Sequence, residues 1–310
     1  GCPLGYAAYG VASYKRNHTD RRKQKKVTTD RPALDKDSEF NVRLSHKTQE
    51  CLKEAVDALW AMSVLGGIGA KSRRGWGSFY LQEFTPSKDN DVYPSAGLKV
   101  LEKAIKKTGD KFPKWTAVSQ NCELLVSKEH CSDPLTALER GVKKLANFGS
   151  AYGKTFSQNG NPGPDYFHTK EATRNPERVN RLPERAAFGL PYMHNYRSIR
   201  GTNFRYFTRA GGDELRRASP VFLTVIEYDE GYCWAFAWLP AAYGPPNAQA
   251  VLEVKQHHGR RTYSLQMPQP DGIKGGARGS CRNANSTVPR GSTLIGEFFE
   301  KLKSSCTKEF

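Results

Sequence analysis

VFLTVIEYDEGYCWAFAWL, residues 221–239, holds two runs dense in β-branched and aromatic residues, parted by a short polar turn. Val221–Tyr228 and Tyr232–Leu239 carry the residue types that fit a pleated, part-buried surface. Asp229-Glu230-Gly231 between them can reverse the chain within three positions. The stretch reads as a β-hairpin, and so as part of an antiparallel sheet. Helical patterns lie on either side of it. Upstream, Asp133-Pro134 is a helix start, a capping carboxylate followed by the residue that loses nothing at the first helical position. Leu135, Leu138, Val142 and Leu145 then recur at helical spacing as a core stripe, with Gly149 as a terminator. Downstream, Leu294, Ile295, Phe298, Phe299 and Leu302 build a last helix. Amphipathic helices among antiparallel strands predict an α+β fold with helices on one face of the sheet.

The rest of the chain extends that pattern. Tyr6 to Ala12 reads as a strand, and Lys15 to Lys36, with Arg21, Arg22, Lys23, Lys25 and Lys26, as a polar loop. Phe40, Val42 and Leu44 alternate with polar residues as in a half-buried strand. A helix from Thr48 to Val64 carries Leu52, Val56, Leu59 and Met62 or Ser63 on one side, with Trp60 beside them. Trp76 to Phe84 reads as a strand, with Trp76, Ser78 and Tyr80 sharing a face. Polar Thr85 to Pro94 sets the boundary between a first domain, 1–90, and a second, 91–310. The second opens with a helix on Leu98, Leu101 and Ile105, followed by a strand from Val118 to Val126. Residues 150–185 and 268–291 read as loops.

Between the first helix and the Trp76 strand runs GGIGAKSRRGWGS, residues 66–78. Gly66, Gly67, Gly69, Gly75 and Gly77 bracket Lys71, Ser72, Arg73 and Arg74, and Trp76 sits between the last two glycines. Glycine permits positive φ and close approach of another chain, while Lys and Arg attract phosphate, Arg in a two-oxygen fork. The segment is not a P-loop, because Leu65 and Ala70 stand where the Gly-x-x-x-x-Gly-Lys-Ser pattern needs glycine. Nor is it a dinucleotide fingerprint, which needs glycine at Ser72. Both of those motifs also run from strand to helix, the reverse of the order here. A helix C-terminus offers carbonyls, so the side-chain cations must do the attracting. With 48 Lys and Arg against 31 Asp and Glu, the net charge of +17 favours a polyanionic partner, nucleic acid foremost.

GGIGAKSRRGWGS resembles the glycine-rich loop of the RAMP superfamily of CRISPR-associated proteins, most closely the first-subunit family of the Cmr (type III-B) effector complex. Phe188-Gly189-Leu190-Pro191, and Arg217-Ala218-Ser219-Pro220 leading into a hydrophobic strand, agree in order and spacing. The resemblance implies two ferredoxin-like, RRM-like domains with long loop insertions. It also implies that the first domain lacks its N-terminal part here, since Gly5-Tyr6-Ala7-Ala8-Tyr9-Gly10 already looks like an interior strand. In function it implies a non-catalytic subunit without cofactor or metal, bound to CRISPR guide RNA, target RNA and neighbouring RAMP subunits. Lys71, Ser72, Arg73, Arg74, their flanking glycines and Trp76 become the RNA-binding set, joined by Arg216 and Arg217.

A second basic zone runs from Arg174 to Arg217, where ten arginines alternate with Tyr192, Tyr196, Phe204, Tyr206 and Phe207. Arginine forks and aromatic platforms suit RNA, and a buried core with a solvated cationic rim suits the same pattern equally well. No catalytic set emerges. The seven histidines form no pair with a nucleophile or carboxylate cluster, and His257-His258 reads as an exposed polar pair. The seven cysteines lack the Cys-x-x-Cys spacing of a zinc site, and their odd number fits reduced thiols in a cytoplasmic protein. The longest apolar run, Cys233 to Tyr243, is interrupted by Pro240 and falls far short of the ~20 residues that span a membrane. Three readings follow: a non-enzymatic guide-RNA subunit, a metal-independent RAMP endoribonuclease processing CRISPR transcripts, or a general polyanion-binding interaction protein.

Overall fold

The computed structural model describes residues 12–15, 26–29, 38–85, 118, 122–153, 164–194, 201–228, 231–256, 259–267 and 294–308. The fold is α+β, with strands paired in antiparallel fashion wherever their register is defined. Strands β1 (Ala12–Lys15) and β2 (Lys26–Thr29) pair with each other, so the segment expected to be a loop from Lys15 to Lys36 contains a strand. Helix α1 is Gln49–Leu65. Strand β3 (Glu123–Ser127) precedes α2 (Pro134–Gly153) and α3 (Pro164–Arg174). Then come β4 (Tyr192–His194), β5 (Asn203–Ala210), β6 (Asp213–Leu215), β7 (Val221–Tyr228), β8 (Gly231–Trp238), β9 (Gln249–Gln256) and β10 (Gly259–Leu265). Helix α4 (Leu294–Leu302) and β11 (Cys306–Lys308) close the chain. One sheet has the order β11-β3-β8-β7, and another β10-β9-β5-β4 with β6 also on β5.

Two compact units are present. The first combines Gly1–Leu101, Ser127–Lys144 and Phe222–Phe236, the second Glu102–Val126, Leu145–Val221 and Ala237–Phe310.

In the first unit the expected hairpin strands are neighbours, and Leu223, Trp234, Ala235 and Phe236 are fully or almost fully buried. Helix α2 starts where Asp133-Pro134 places it. The Asp133 carboxylate accepts from the Thr136 amide at 2.8 Å and its hydroxyl at 2.9 Å. Leu138 and Val142 are core, whereas Leu135 is 37% exposed. A Cβ on Gly141 would lie 2.6 Å from Leu223 Cδ1 and 3.1 Å from Trp234 Cβ, so this glycine sets how closely helix and strands approach. Two expected strands do not form. Residues 78–85 have no strand assignment. Phe40 and Val42 are about half exposed, and the Phe40 ring lies 6.1 Å from that of Phe79. Alternation was present at 40–44, but the segment lies outside every assigned strand and ladder.

In the second unit, Phe148 of α2 packs on Phe298 (5.0 Å) and Phe188 (6.3 Å), and Trp238 on Phe299 (5.7 Å). Helix α2 runs past the expected terminator Gly149 to Gly153, although a mid-helix glycine costs about 1 kcal/mol. Every apolar residue expected to line α4 is buried. Residues 164–185, part of the expected loop 150–185, instead contribute to α3 and two 3-10 turns, the second running on to Phe188. Pro164 again stands at the first helical position, with Asp165 in the first turn rather than as the preceding cap, but α3 has few apolar residues and so no legible stripe. The expected strand at Tyr6, apart from Ala12, the helix on Leu98, Leu101 and Ile105, the boundary residues 86–94 and the segment 268–291 lie outside the described residues.

Candidate nucleic-acid interface

The glycine-rich loop leaves α1 through a backbone bond from the Gly66 amide to the Met62 carbonyl at 3.0 Å. Its two limbs are then tied together, the Ile68 amide donating to the Gly77 carbonyl at 2.8 Å. Within that closure the Arg74 amide donates to the Lys71 carbonyl (2.8 Å) and the Gly75 amide to that of Ser72 (3.2 Å). The basic residues thus sit on a tight, hydrogen-bonded turn. Gly69, Gly75 and Gly77 have φ of +87, +81 and +77°, and Lys71 itself takes φ +67°. At Gly77 the requirement is absolute, because a Cβ would lie 1.9 Å from the Ile68 carbonyl oxygen.

The turn is docked on β7. Arg74 forms a parallel bridge with Leu223, whose amide donates to the Arg73 carbonyl at 3.1 Å. The Arg73 guanidinium lies 4.3 Å from the centre of the Phe222 ring. Ser78 Oγ donates to the Gly75 carbonyl at 2.9 Å and accepts from the Val225 amide at 3.2 Å. Gly75 is wedged against the first turns of α2, where a Cβ would come within 2.3 Å of Leu138 Cδ1. The result is a rigid cationic knuckle with Lys71, Ser72, Arg73 and Arg74 half-buried and Ile68, Gly69 and Ala70 exposed. The indole Nε1 of Trp76, two residues past the basic cluster, is buried without a hydrogen bond among the described residues.

Two short motifs that looked separate in sequence meet in space. Leu190 and Arg217 exchange backbone hydrogen bonds at 2.8 and 3.0 Å. Gly189 (φ +133°) lies so close that a Cβ would be 3.2 Å from the Arg217 carbonyl oxygen. The Arg217 side chain is 7% exposed. It donates to the Ala187 carbonyl at 2.6 Å, more loosely to those of Ala241 and Ala242 (3.5 and 3.4 Å), and stacks 4.1 Å from the Tyr243 ring. Those contacts make it an internal strut, while Arg216 beside it is exposed. The strut could not be read from sequence, where Arg217 is one arginine among ten.

The aromatic-interleaved zone resolves by strand alternation. Phe204 and Tyr206 are fully buried on one face of β5, and Arg205, Phe207 and Arg209 occupy the other. Beneath Tyr206 is a buried polar network that the sequence did not disclose. His168 of α3 donates from Nε2 to the Arg181 carbonyl (2.9 Å), which leaves Nδ1 to accept from the Tyr206 hydroxyl (3.2 Å). Burial pushes this imidazole down to about 4. Asp165, 1% exposed, is pushed up to about 7 by burial, against the opposing pull of Arg185. Its Oδ1 accepts from the Glu184 amide at 3.0 Å, and Oδ2 lies 3.9 Å from Arg185 Nε, too far for a hydrogen bond.

Among the described residues no group of three or more His, Cys, Asp or Glu is arranged to hold a metal ion, and no helix is long and apolar enough to cross a membrane. Comparison with family models matches residues 8–80 to the RAMP superfamily. That interval spans less than half of the chain and ends just beyond the glycine-rich loop. No curated protein and no solved structure matches the chain.

Proposed function

We propose that this chain is a non-catalytic RNA-binding subunit of a type III-B-like, RNA-guided CRISPR effector complex. In this reading it holds guide RNA, or the guide–target duplex, near the 3′ end of the guide. The observation that carries the proposal is the tight turn at 71–74, which presents three cations on a backbone fixed by the Ile68–Gly77 bond and by docking to β7. A turn held in advance loses little further entropy when a phosphate backbone settles across it. The other partners are target RNA and neighbouring RAMP subunits.

Replacing Lys71, Arg73 and Arg74 together by Ala tests the assignment. Binding to a CRISPR repeat-containing RNA should weaken, and the slope of log K against log salt should fall by about 2–3 units if each cation contacts one phosphate. An unchanged slope in a folded triple variant rejects it. Cleavage of that RNA by the pure protein in the presence of a chelator would instead support the endoribonuclease.

A further inference from the structure

The β10-β9-β5-β4 sheet has a second cationic surface, remote in sequence from the glycine-rich loop. The register fixes its layout. Residues directly opposite across strands share a face, neighbouring strands lie about 4.8 Å apart, and same-face residues along a strand are about 7 Å apart. One rung is Arg260, Lys255 and Asn203. The next, on the same face, includes Glu253, Arg205 and Met193. All but Glu253 reach solvent: Arg260 is 60% exposed, Met193 63% and the Arg205 side chain 30%, with Lys255 and Asn203 also exposed.

Two features of this patch are unexplained by folding. Arg260 and Lys255 are like charges placed directly opposite each other, an arrangement that destabilises a sheet unless an anion bridges it. Glu253 pairs with Arg260 at 3.2 Å, and the Lys255 side chain has no ion pair or hydrogen bond among the described residues. The second feature is Arg205, whose guanidinium is gripped by both oxygens of Glu214 at 2.5 and 2.6 Å and lies 5.0 Å from the Phe207 ring. The guanidinium is therefore held in place through Nη2, on the residue directly opposite exposed Met193 in the ladder.

We propose that this end of the sheet is a second RNA-contact surface, one that takes single-stranded RNA. Lys255 and Arg260 share a phosphate, and an unstacked base lies on the fixed Arg205 guanidinium against Met193. Exposed guanidinium planes are platforms for splayed bases. A duplex keeps its bases stacked inside, cannot place one on the platform, and so gains little at this surface even from the two cations. An acidic protein would satisfy the cations but gains nothing from the planar platform. The inference rests on the reading of the chain as RNA-binding, but not on the glycine loop being where RNA binds.

The probes are a 15-nucleotide oligouridine and an RNA duplex of equal length. Lys255→Ala with Arg260→Ala should weaken oligouridine binding about tenfold at low salt and lower its salt slope by about one unit, with duplex binding changed far less. Independently of any variant, oligouridine carrying 4-thiouridine should photocross-link to the peptides containing Met193 and Arg205, as read by mass spectrometry. These cross-links should persist in the Lys71, Arg73, Arg74 triple variant. Equal weakening of the two RNAs, or cross-links confined to residues 66–78, overturns the proposal. Persistence of the sheet cross-links with no effect of the triple variant would uphold it while removing the loop from the function proposed above.

Discussion

Gly77 and Gly69 both take positive φ, but they differ in surroundings. A side chain at Gly77 collides with the Ile68 carbonyl, whereas nothing lies within 4 Å of one at Gly69. Gly69→Ala should therefore cost only the left-handed backbone penalty of about 1–2 kcal/mol. Gly77→Ala should cost clearly more and open the Ile68–Gly77 closure. Thermal unfolding of the two variants checks the order, and equal losses would refute the packing argument. Asp165 and His168 make a second residue-scale prediction. The folded state keeps Asp165 protonated up to about 7, whereas an unfolded aspartate ionises near 3.8, so its contribution to stability declines as pH rises between those values. His168 acts oppositely: it stays neutral down to about 4 when folded but gains a proton near 6.5 when unfolded, so its contribution declines as pH falls through that range. In the wild type the two slopes largely cancel between 4 and 6.5. Asp165→Asn should unmask the histidine, giving a stability that rises steeply over that window. Denaturant titrations at pH 4.5, 6 and 8 would show it, and a profile parallel to the wild type would contradict the buried-carboxyl assignment.

At the scale of elements, two Leu190–Arg217 backbone hydrogen bonds join the 188–191 and 217–220 segments, and the Arg217 side chain braces the junction from Ala187. Arg217→Ala leaves the buried Ala187 carbonyl without its donor and removes the guanidinium from Tyr243. A loss of roughly 1–3 kcal/mol is expected in chemical denaturation. Arg216→Ala, on an exposed side chain, should be near neutral. If RNA binding at fixed temperature falls more with the Arg217 change than its unfolding explains, the strut interpretation fails. Helix α2 shows how neighbouring elements fix each other. Its start is set locally by Asp133, its C-terminal half is anchored by Phe148 on Phe298, and its distance from β7 and β8 is set by Gly141.

On the scale of the whole molecule, an excess of seventeen positive charges is distributed unevenly between surface and interior. Arg217 is consumed inside and Arg205 is held by Glu214, while Arg216, Lys255 and Arg260 reach solvent. Long-range attraction comes from all of them, but only cations that touch phosphate release counterions. Substituting exposed lysines that belong to neither surface, such as Lys53 and Lys143, should slow RNA association at low salt without changing the salt slope of the affinity by more than a fraction of a unit. Stopped-flow association and equilibrium titration on the same variants separate the two effects.

The sequence by itself determined the elements whose signals are local. The hairpin at 221–239 follows from β-branched and aromatic density around a turn. The α2 start follows from Asp133-Pro134, α4 from its apolar stripe, and the left-handed turn in the glycine loop from the spacing of its glycines. From these came the α+β class and a cationic loop as the candidate site. Tertiary structure alone decided what depends on partners distant in the chain. Whether the alternation at 40–44 becomes a strand depends on a neighbouring strand that can pair with it. Whether a polar stretch at 164–174 becomes a helix depends on a sheet face against which His168 and Asp165 can be buried. Which arginines remain for a ligand depends on the carbonyls, carboxylates and rings that folding brings beside each one. The physical reason is that capping, turn geometry and periodicity act over a few residues, whereas burial and charge pairing are set by the neighbours that folding supplies.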